Sequence, residues 1–319
     1  MNAPIRPPSP DSASPQQIYR AILATDFRAF IDYVFGLLRP GIPFRPNWHI
    51  DAMAHKVSQI AFGEVKRLII TMPPRNLKSI VASVALPAWY LGHNPSERVV
   101  CVSYSDALAK THANDFRRVV TDPIYQAVFP KMVLARETDS EIHTTLRGRR
   151  YATSIGGTLT GRGGNLFIID DPLKPGDAES EATRQRVIEW YRSTLVTRPD
   201  DKLAARIVLV MQRIHVDDLV GYVLESDAGF EVLNLPAVAQ STTTTISVAV
   251  ELMSAKRETC CIPPMNRPRC CWISKRAWVR WPFRPSTSRP PSPPAAKSSS
   301  GRCCNIIPKS SACRPTAWF

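Results

Sequence analysis

Through its first 240 residues the 319-residue chain holds one cysteine, Cys101. That scarcity excludes a disulfide-stapled extracellular design for this stretch and leads us to expect a reduced compartment. No apolar run approaches the roughly 20 residues of a membrane-spanning helix. The N-terminus also lacks the charged-then-apolar pattern of a secretory leader. A cytoplasmic protein without membrane attachment is therefore expected. Residues 241–319 lack other things: they hold no aspartate, two glutamates and a single glycine, Gly301, against 13 Lys and Arg. The net charge of +14 consequently divides into +11 for this segment and +3 for residues 1–240. A basic chain suggests nucleic acid, but here the first 240 residues are close to neutral.

The remaining seven cysteines, Cys260, Cys261, Cys270, Cys271, Cys303, Cys304 and Cys313, all fall in the same basic segment. Doublets are not the C-x₂-C spacing of zinc sites, and no helical or strand periodicity is sustained there. A disordered basic arm is one reading. Translation out of frame is a sharper one. Codons allowed by residues 295–308, read one base earlier, can spell Gly-Gly-Glu-Ile-Ile-Lys-Trp-Ala-Met-Leu-Gln-Tyr-Tyr-Pro. The same slip over residues 282–289 allows Ala-Phe-Ser-Ala-Gln-Tyr-Gln-Gln, and over residues 258–266 it allows Asp-Val-Leu-His-Pro-Ala-Asp-Glu. Three protein-like rescues in one direction favour a frameshift near residue 240.

What is present begins with residues 72–79, Met-Pro-Pro-Arg-Asn-Leu-Lys-Ser, which follow the apolar Leu68-Ile69-Ile70 and precede an Ala/Val-rich helical pattern. A buried strand, a tight turn and a helix opening on Lys-Ser make a phosphate-binding loop, because N–H groups at a helix start can surround phosphate oxygens. Lys78 is expected to reach the β/γ-phosphates and the Ser79 hydroxyl to ligate Mg²⁺. Against G-x-x-x-x-G-K-[ST], Pro73 or Pro74 stands near the first glycine and Leu77 replaces the second. Taken alone, these residues also fit an ordinary strand–turn–helix with a surface lysine.

Leu166-Phe167-Ile168-Ile169-Asp170-Asp171 is a second signal. Continuous hydrophobicity reads as a parallel strand buried on both faces, and ligands of open α/β sheets sit beyond the carboxyl ends of such strands. Asp170 is placed to hold the Mg²⁺ shell, and Asp171 to orient or deprotonate an attacking water. The plain alternative is an Asp-Asp helix cap before Pro172. Both motifs in this order favour a nucleotide hydrolase.

Between these signals, residues 1–17 are Pro/Ser-rich and expected to be disordered, and residues 18–240 to form one ATPase domain. Helices are predicted over 18–38 (one or two), from a turn at 44–49 to Phe62 with Asn47 as cap, and over 80–91, 106–119, 179–195 and 217–224. Strands are predicted over 67–71, 99–103, 152–155, 166–170, 205–211 and 230–234. Alternation of strands and helices indicates a mostly parallel α/β sheet.

Four segments together resemble the large subunit of tailed-phage terminases, the ATPase-nuclease that packages DNA into procapsids. They are Pro73-Pro74-Arg75 with Lys78-Ser79, Gly157-Thr158-Leu159-Thr160-Gly161-Arg162-Gly163, Ile168-Ile169-Asp170-Asp171-Pro172, and Gln212-Arg213-Ile214-His215 with Asp217-Asp218-Leu219. The likeness runs over residues 47–235. It implies an α/β additional-strand P-loop NTPase with ATP and Mg²⁺ as cofactors, and an irregular Walker A loop with Pro-Pro-Arg in place of the first glycines. Pro74, Arg75, Asn76 and Leu77 would then wrap the phosphates, Lys78 and Ser79 would bind phosphate and metal, and Asp170 would complete the Walker B metal site. Asp171 stands where the family often has Glu, one methylene longer, so its reach must come from the backbone. Arg75 or Arg162 would be the arginine finger, in cis or from a neighbouring subunit, although Arg162 could instead merely pair a carboxylate. Gln212 and Arg213 would sense γ-phosphate loss. Trp48 and His49 lie where the family contacts adenine, though plain core packing also accounts for Trp48. The implied partners are double-stranded DNA, a small terminase subunit, a portal and further copies in a ring, inside a bacterial host carrying the phage or prophage. The shifted peptides resemble the family's linker to its nuclease, so a remnant without the nuclease half is expected. Two other classes remain: another P-loop ATPase acting on nucleic acid, and a non-catalytic DNA-binding protein using the basic segment. A helicase should show further arginine motifs in a second lobe, and none appears.

Overall fold

Ser14 begins the described part of the chain: the computed structural model covers residues 14–159, 161–226 and 229–236. The reading of residues 241–319 and that of residues 1–13 lie outside the described residues, as does Thr160. All described residues belong to one compact unit.

The Ser14 side chain accepts from the Gln17 N–H while the Gln17 side chain accepts from the Ser14 N–H. With Pro15 at the first helical position, this reciprocal cap starts α1 (Pro15–Thr25). Residues 15–17, expected to be disordered, are therefore helical. Asp26 ends α1 and caps α2 (Phe27–Leu38), its carboxylate accepting from the N–H groups of Arg28 and Ala29. α3 (Trp48–Phe62) starts after Asn47, which makes no side-chain cap bond, and stops at Gly63 in a left-handed turn (φ 81°) that favours glycine.

β1 (Arg67–Thr71) leads through the loop into a π-helical segment, Ile80–Ala85, that continues as α4 (Leu86–His93). Then come β2 (Arg98–Ser103), α5 (Asp106–Val120) and α6 (Pro123–Val128). A hairpin of β3 (Leu134–Glu137) and β4 (Glu141–Thr144) precedes β5 (Arg149–Ser154) and β6 (Leu166–Asp170). α7 (Glu181–Ser193), β7 (Arg206–Met211), α8 (Leu219–Ser226) and β8 (Glu231–Asn234) complete the domain. α6, β3 and β4 were not expected from the sequence, and β5 starts at Arg149 rather than Ala152. Among the described residues no helix is long and apolar enough to cross a membrane.

The strands form one sheet in the order β3-β4-β5-β2-β6-β7-β1-β8. The six from β5 to β8 run parallel, and β3 and β4 add antiparallel pairs at one edge. Successive side chains of a strand face opposite sides of a sheet, and both sides here are covered. Leu68, Ile70, Cys101, Ile168 and Val210 face a core with α1–α6. Ile69, Val100, Val102, Ile169 and Leu209 face a second core with α7 and α8. Burial on both faces is why these strands read as unbroken hydrophobic runs. β7 lies between β1 and β6, pairing with both. The loop-bearing strand and the Asp-bearing strand are thus separated by an inserted strand, which makes this the additional-strand form of the P-loop α/β fold.

Candidate nucleotide site

The loop after β1 is built by its own side chains. The Asn76 amide donates to the carbonyls of Pro73 (3.2 Å) and Pro74 (3.0 Å), closing the turn that the two prolines begin. Arg75 (φ 63°) and Leu77 (φ 64°) are both left-handed, and Lys78 and Ser79 are already helical. Left-handed followed by right-handed backbone is the arrangement that gathers N–H groups into an anion nest. Leu77 occupies the position that the usual pattern gives to glycine, and it keeps the conformation glycine would have. That costs roughly 1–2 kcal/mol for a residue with a Cβ. Part of the cost is offset because Leu77 packs against the hydrophobic core.

Five side chains converge beyond the loop. Lys78 Nζ lies 2.9 Å from Asp171 Oδ2. Ser79 Oγ donates to Asp170 Oδ1 at 3.1 Å, and Ser83 Oγ donates to Asp170 Oδ2 at 2.8 Å. Asp171 bends the chain out of β6 in a left-handed turn (φ 45°), and the Gln212 N–H at the end of β7 donates to its Oδ1 at 3.3 Å. A short carboxylate thus reaches Lys78 through its backbone conformation.

Asp170 is completely buried. Burial, and then the Asp171 charge, push its carboxyl up to about 7, against the opposing pull of Ser83, Ser79 and Lys78. His112 Nδ1 stands 3.7 Å from Asp170 Oδ2. Burial, with the Arg150 charge second, holds His112 down to about 4. The imidazole is therefore neutral at physiological pH, and the contact is not an ion pair.

The expected Mg²⁺ fits these residues. Ser79 Oγ and Asp170 Oδ1 are 3.1 Å apart, near the roughly 2.9 Å edge of an octahedron of oxygens at about 2.0–2.1 Å. Magnesium takes one or two protein oxygens, waters and substrate phosphate. A dedicated cage is not needed, and among the described residues no group of three or more His, Cys, Asp or Glu could form one.

The structure does not bring every expected residue to this place. Arg162 Nη1 is bound to Glu141 Oε2 at 2.6 Å, and its guanidinium lies 4.0 Å from the Tyr151 ring centroid. It is the carboxylate-pairing arginine of the plainer reading, held at the β4–β5 side of the sheet. Arg75 is exposed, with no ion-pair partner among the described residues. Trp48 is 48% exposed, which overturns the core-packing reading for it, and stacks edge-on with His49. Neither residue is among those lining the cavity described next. Arg213 is structural in this state: its Nε binds the buried Asp218 carboxylate at 2.9 Å.

No family model and no curated protein matches the sequence. Solved structures do. The HK97 bacteriophage large terminase is 17% identical with a TM-score of 0.43, the match covering 73% of this chain and 52% of that one. A thermophilic bacteriophage large terminase in complex with ADP is 10% identical (TM-score 0.37; 72% and 48% covered). The ATPase domain of the Thermus phage P74-26 large terminase is 14% identical (TM-score 0.38; 72% and 92% covered). This chain spans about half the length of the first two.

A cavity of about 610 Å³ opens beside the loop, where three adjacent strands end: residues 71–74 after β1, 212–216 after β7 and 234–236 after β8. It shares Pro73 and Pro74 with the loop and Gln212 with the Asp171 carboxylate. Sequence reasoning missed this cavity. It also missed Ser83, although Ser79 and Ser83 are four residues apart at a helix start and so share a face.

Proposed function

We propose that this domain hydrolyses ATP with Mg²⁺. We further propose that it is the motor of a terminase large subunit, drawing double-stranded DNA into a procapsid in a ring of copies, with a small subunit and portal as partners. The observation that carries the ATPase reading is the convergence of Lys78 with Asp171 and of Ser79 with Asp170 at the carboxyl ends of β1 and β6. The terminase reading rests on the four motif segments that resemble that family.

The Lys78–Asp171 contact gives the site an order of events. Lys78 masks the carboxylate until β/γ-phosphates compete for its ammonium. Once Lys78 turns to phosphate, Asp171 is free to take a proton from water, still aimed by the Gln212 N–H. Asp170, gripped by Ser79 and Ser83, keeps its oxygens at the mouth of the loop. Ser79 and Asp170 would hold Mg²⁺, which would supply positive charge to the transferring phosphoryl group. Of the two arginine candidates, Arg75 at the loop tip is unpaired among the described residues and Arg162 is tied down, so Arg75 is assigned to transition-state charge.

Steady-state ATP turnover of the full chain tests the reading. Lys78→Ala leaves the β/γ charge uncompensated, and comparable deletions cost about 10²–10³ in rate. Equal rates for variant and parent would overturn it. Residues 241–319 are proposed to be out of frame, so that the family's nuclease half is not supplied by them and the product is a prophage remnant. An uninterrupted reading frame on sequencing the gene through codon 240 would contradict this.

A further inference from the structure

Arg150 is a buried charge for which the chemistry above has no use. It lies on β5, 1% exposed, with its guanidinium 5.0 Å from the Phe116 ring centroid. Among the described residues no carboxylate pairs with it, and its Nε and Nη1 lack an oxygen acceptor. A guanidinium held in this way is costly. The bond it does make runs from Nη2 to the Ser83 carbonyl at 3.1 Å. That carbonyl needs a side-chain donor for a reason written in the sequence. The residue four places on, whose N–H would serve it in an α-helix, is Pro87, which has none. The turn between the loop and α4 is π-helical, the Leu86 N–H donating to the Val81 carbonyl five residues back. Such turns recur at functional sites. This one carries the Ser83 hydroxyl onto Asp170 Oδ2 at 2.8 Å, while Ser79 holds Oδ1 at 3.1 Å. His112, which also faces Oδ2, stands off at 3.7 Å. A line of contacts therefore runs from Arg150 through the backbone and hydroxyl of Ser83 to the carboxylate.

We propose that Arg150 is a positioning residue for Asp170: by holding the Ser83 carbonyl it keeps the Ser83 hydroxyl on Oδ2, and so keeps Oδ1 beside Ser79. This rests on the ATPase reading above, in which Ser79 and Asp170 hold Mg²⁺. Arg150 itself touches neither of those two side chains and acts through Ser83.

The test uses the full chain and ADP, a probe that is not turned over, with affinity measured once with Mg²⁺ and once in EDTA. The ratio of the two affinities isolates what the metal contributes to binding. Arg150→Met keeps an apolar stem against Phe116 but removes the donor, and Ser83→Ala removes the hydroxyl. Each should abolish most of the Mg²⁺-dependent gain, since groups that orient a metal ligand are worth about tenfold or more in metal affinity. Affinity in EDTA should stay near parental. The double variant should lose no more than either single one, because both changes break the same line of contacts. Thermal melting is checked for each variant. Arg150→Lys, which keeps the cation on a shorter stem, guards against a methionine variant that fails to fold, and it should lose part of the gain. Arginine variants that melt lower but keep the full parental gain would overturn the proposal and leave the ATPase reading standing. So would equal losses with Mg²⁺ and in EDTA, or losses that multiply in the double variant. A parent whose ADP affinity does not rise with Mg²⁺ removes the proposal together with the reading beneath it.

Discussion

Leu77 holds the left-handed backbone of a glycine position while packing a half-buried side chain on the core. Two terms of similar size oppose each other there: strain of roughly 1–2 kcal/mol and apolar burial of about 1 kcal/mol for a partly buried leucine. Leu77→Gly loses the packing but also the strain, whereas Leu77→Ala loses the packing and keeps the strain. The glycine variant is therefore expected to be the more stable of the two by about 1 kcal/mol. Chemical denaturation checks this, and an alanine variant at least as stable would remove strain from the account. Asp170 carries a second residue-scale consequence. Its carboxyl sits at about 7 when folded, against an ordinary value of 3.8. Between those values the folded chain holds a proton that the unfolded chain releases. This contribution to stability is present below the ordinary value and is lost as pH rises through about 7. Asp170→Asn cannot lose that proton. Without divalent cations, the melting temperature of the parent relative to this variant should fall from pH 5 to pH 8. A difference that stays flat would show that the carboxylate is not penalised by burial. The sequence made Lys78, Ser79, Asp170 and Asp171 legible because each lies in a local pattern whose chemistry dictates its residue type. It left Arg150 illegible: a fully buried arginine on β5, donating to the Ser83 carbonyl, runs against everything composition suggests for that residue.

At the scale of elements, the parallel strands were readable because double burial writes itself as unbroken apolar runs. β3 and β4 were not, since four-residue strands at a sheet edge, with three residues of β3 exposed, have no such run. The glycine-rich connection before β6 shows the same divide. A Cβ at Gly163 would push the Asp200 side chain aside, and although Arg162 could be read as pairing a carboxylate, that the partner is Glu141 could not. The roles proposed for the two arginines are separable by experiment. Arg162→Ala removes a 2.6 Å ion pair and a ring contact, so it should lower the melting temperature and leave kcat near parental. Arg75→Ala touches no partner and should leave melting unchanged, while kcat falls by about 10²-fold or more. Paired melting curves and turnover numbers decide it, and the reverse pattern would exchange the two roles.

The whole molecule divides by chemistry as well as by sequence. Residues 1–240 carry a net charge of +3, and residues 241–319 carry +11. The cavity could not be read from the sequence because three separate segments of the chain build it, and only the sheet order brings them together. Asp171 is where the central claim is most exposed. Turnover and MgATP binding measured together on the full chain carrying Asp171→Asn address it directly. The substitution removes a base and the partner of Lys78 but no phosphate contact. Affinity for MgATP should therefore stay close to parental or tighten, while turnover nearly disappears. A variant that turns ATP over at the parental rate, or one that loses MgATP binding and keeps its turnover, would contradict the account.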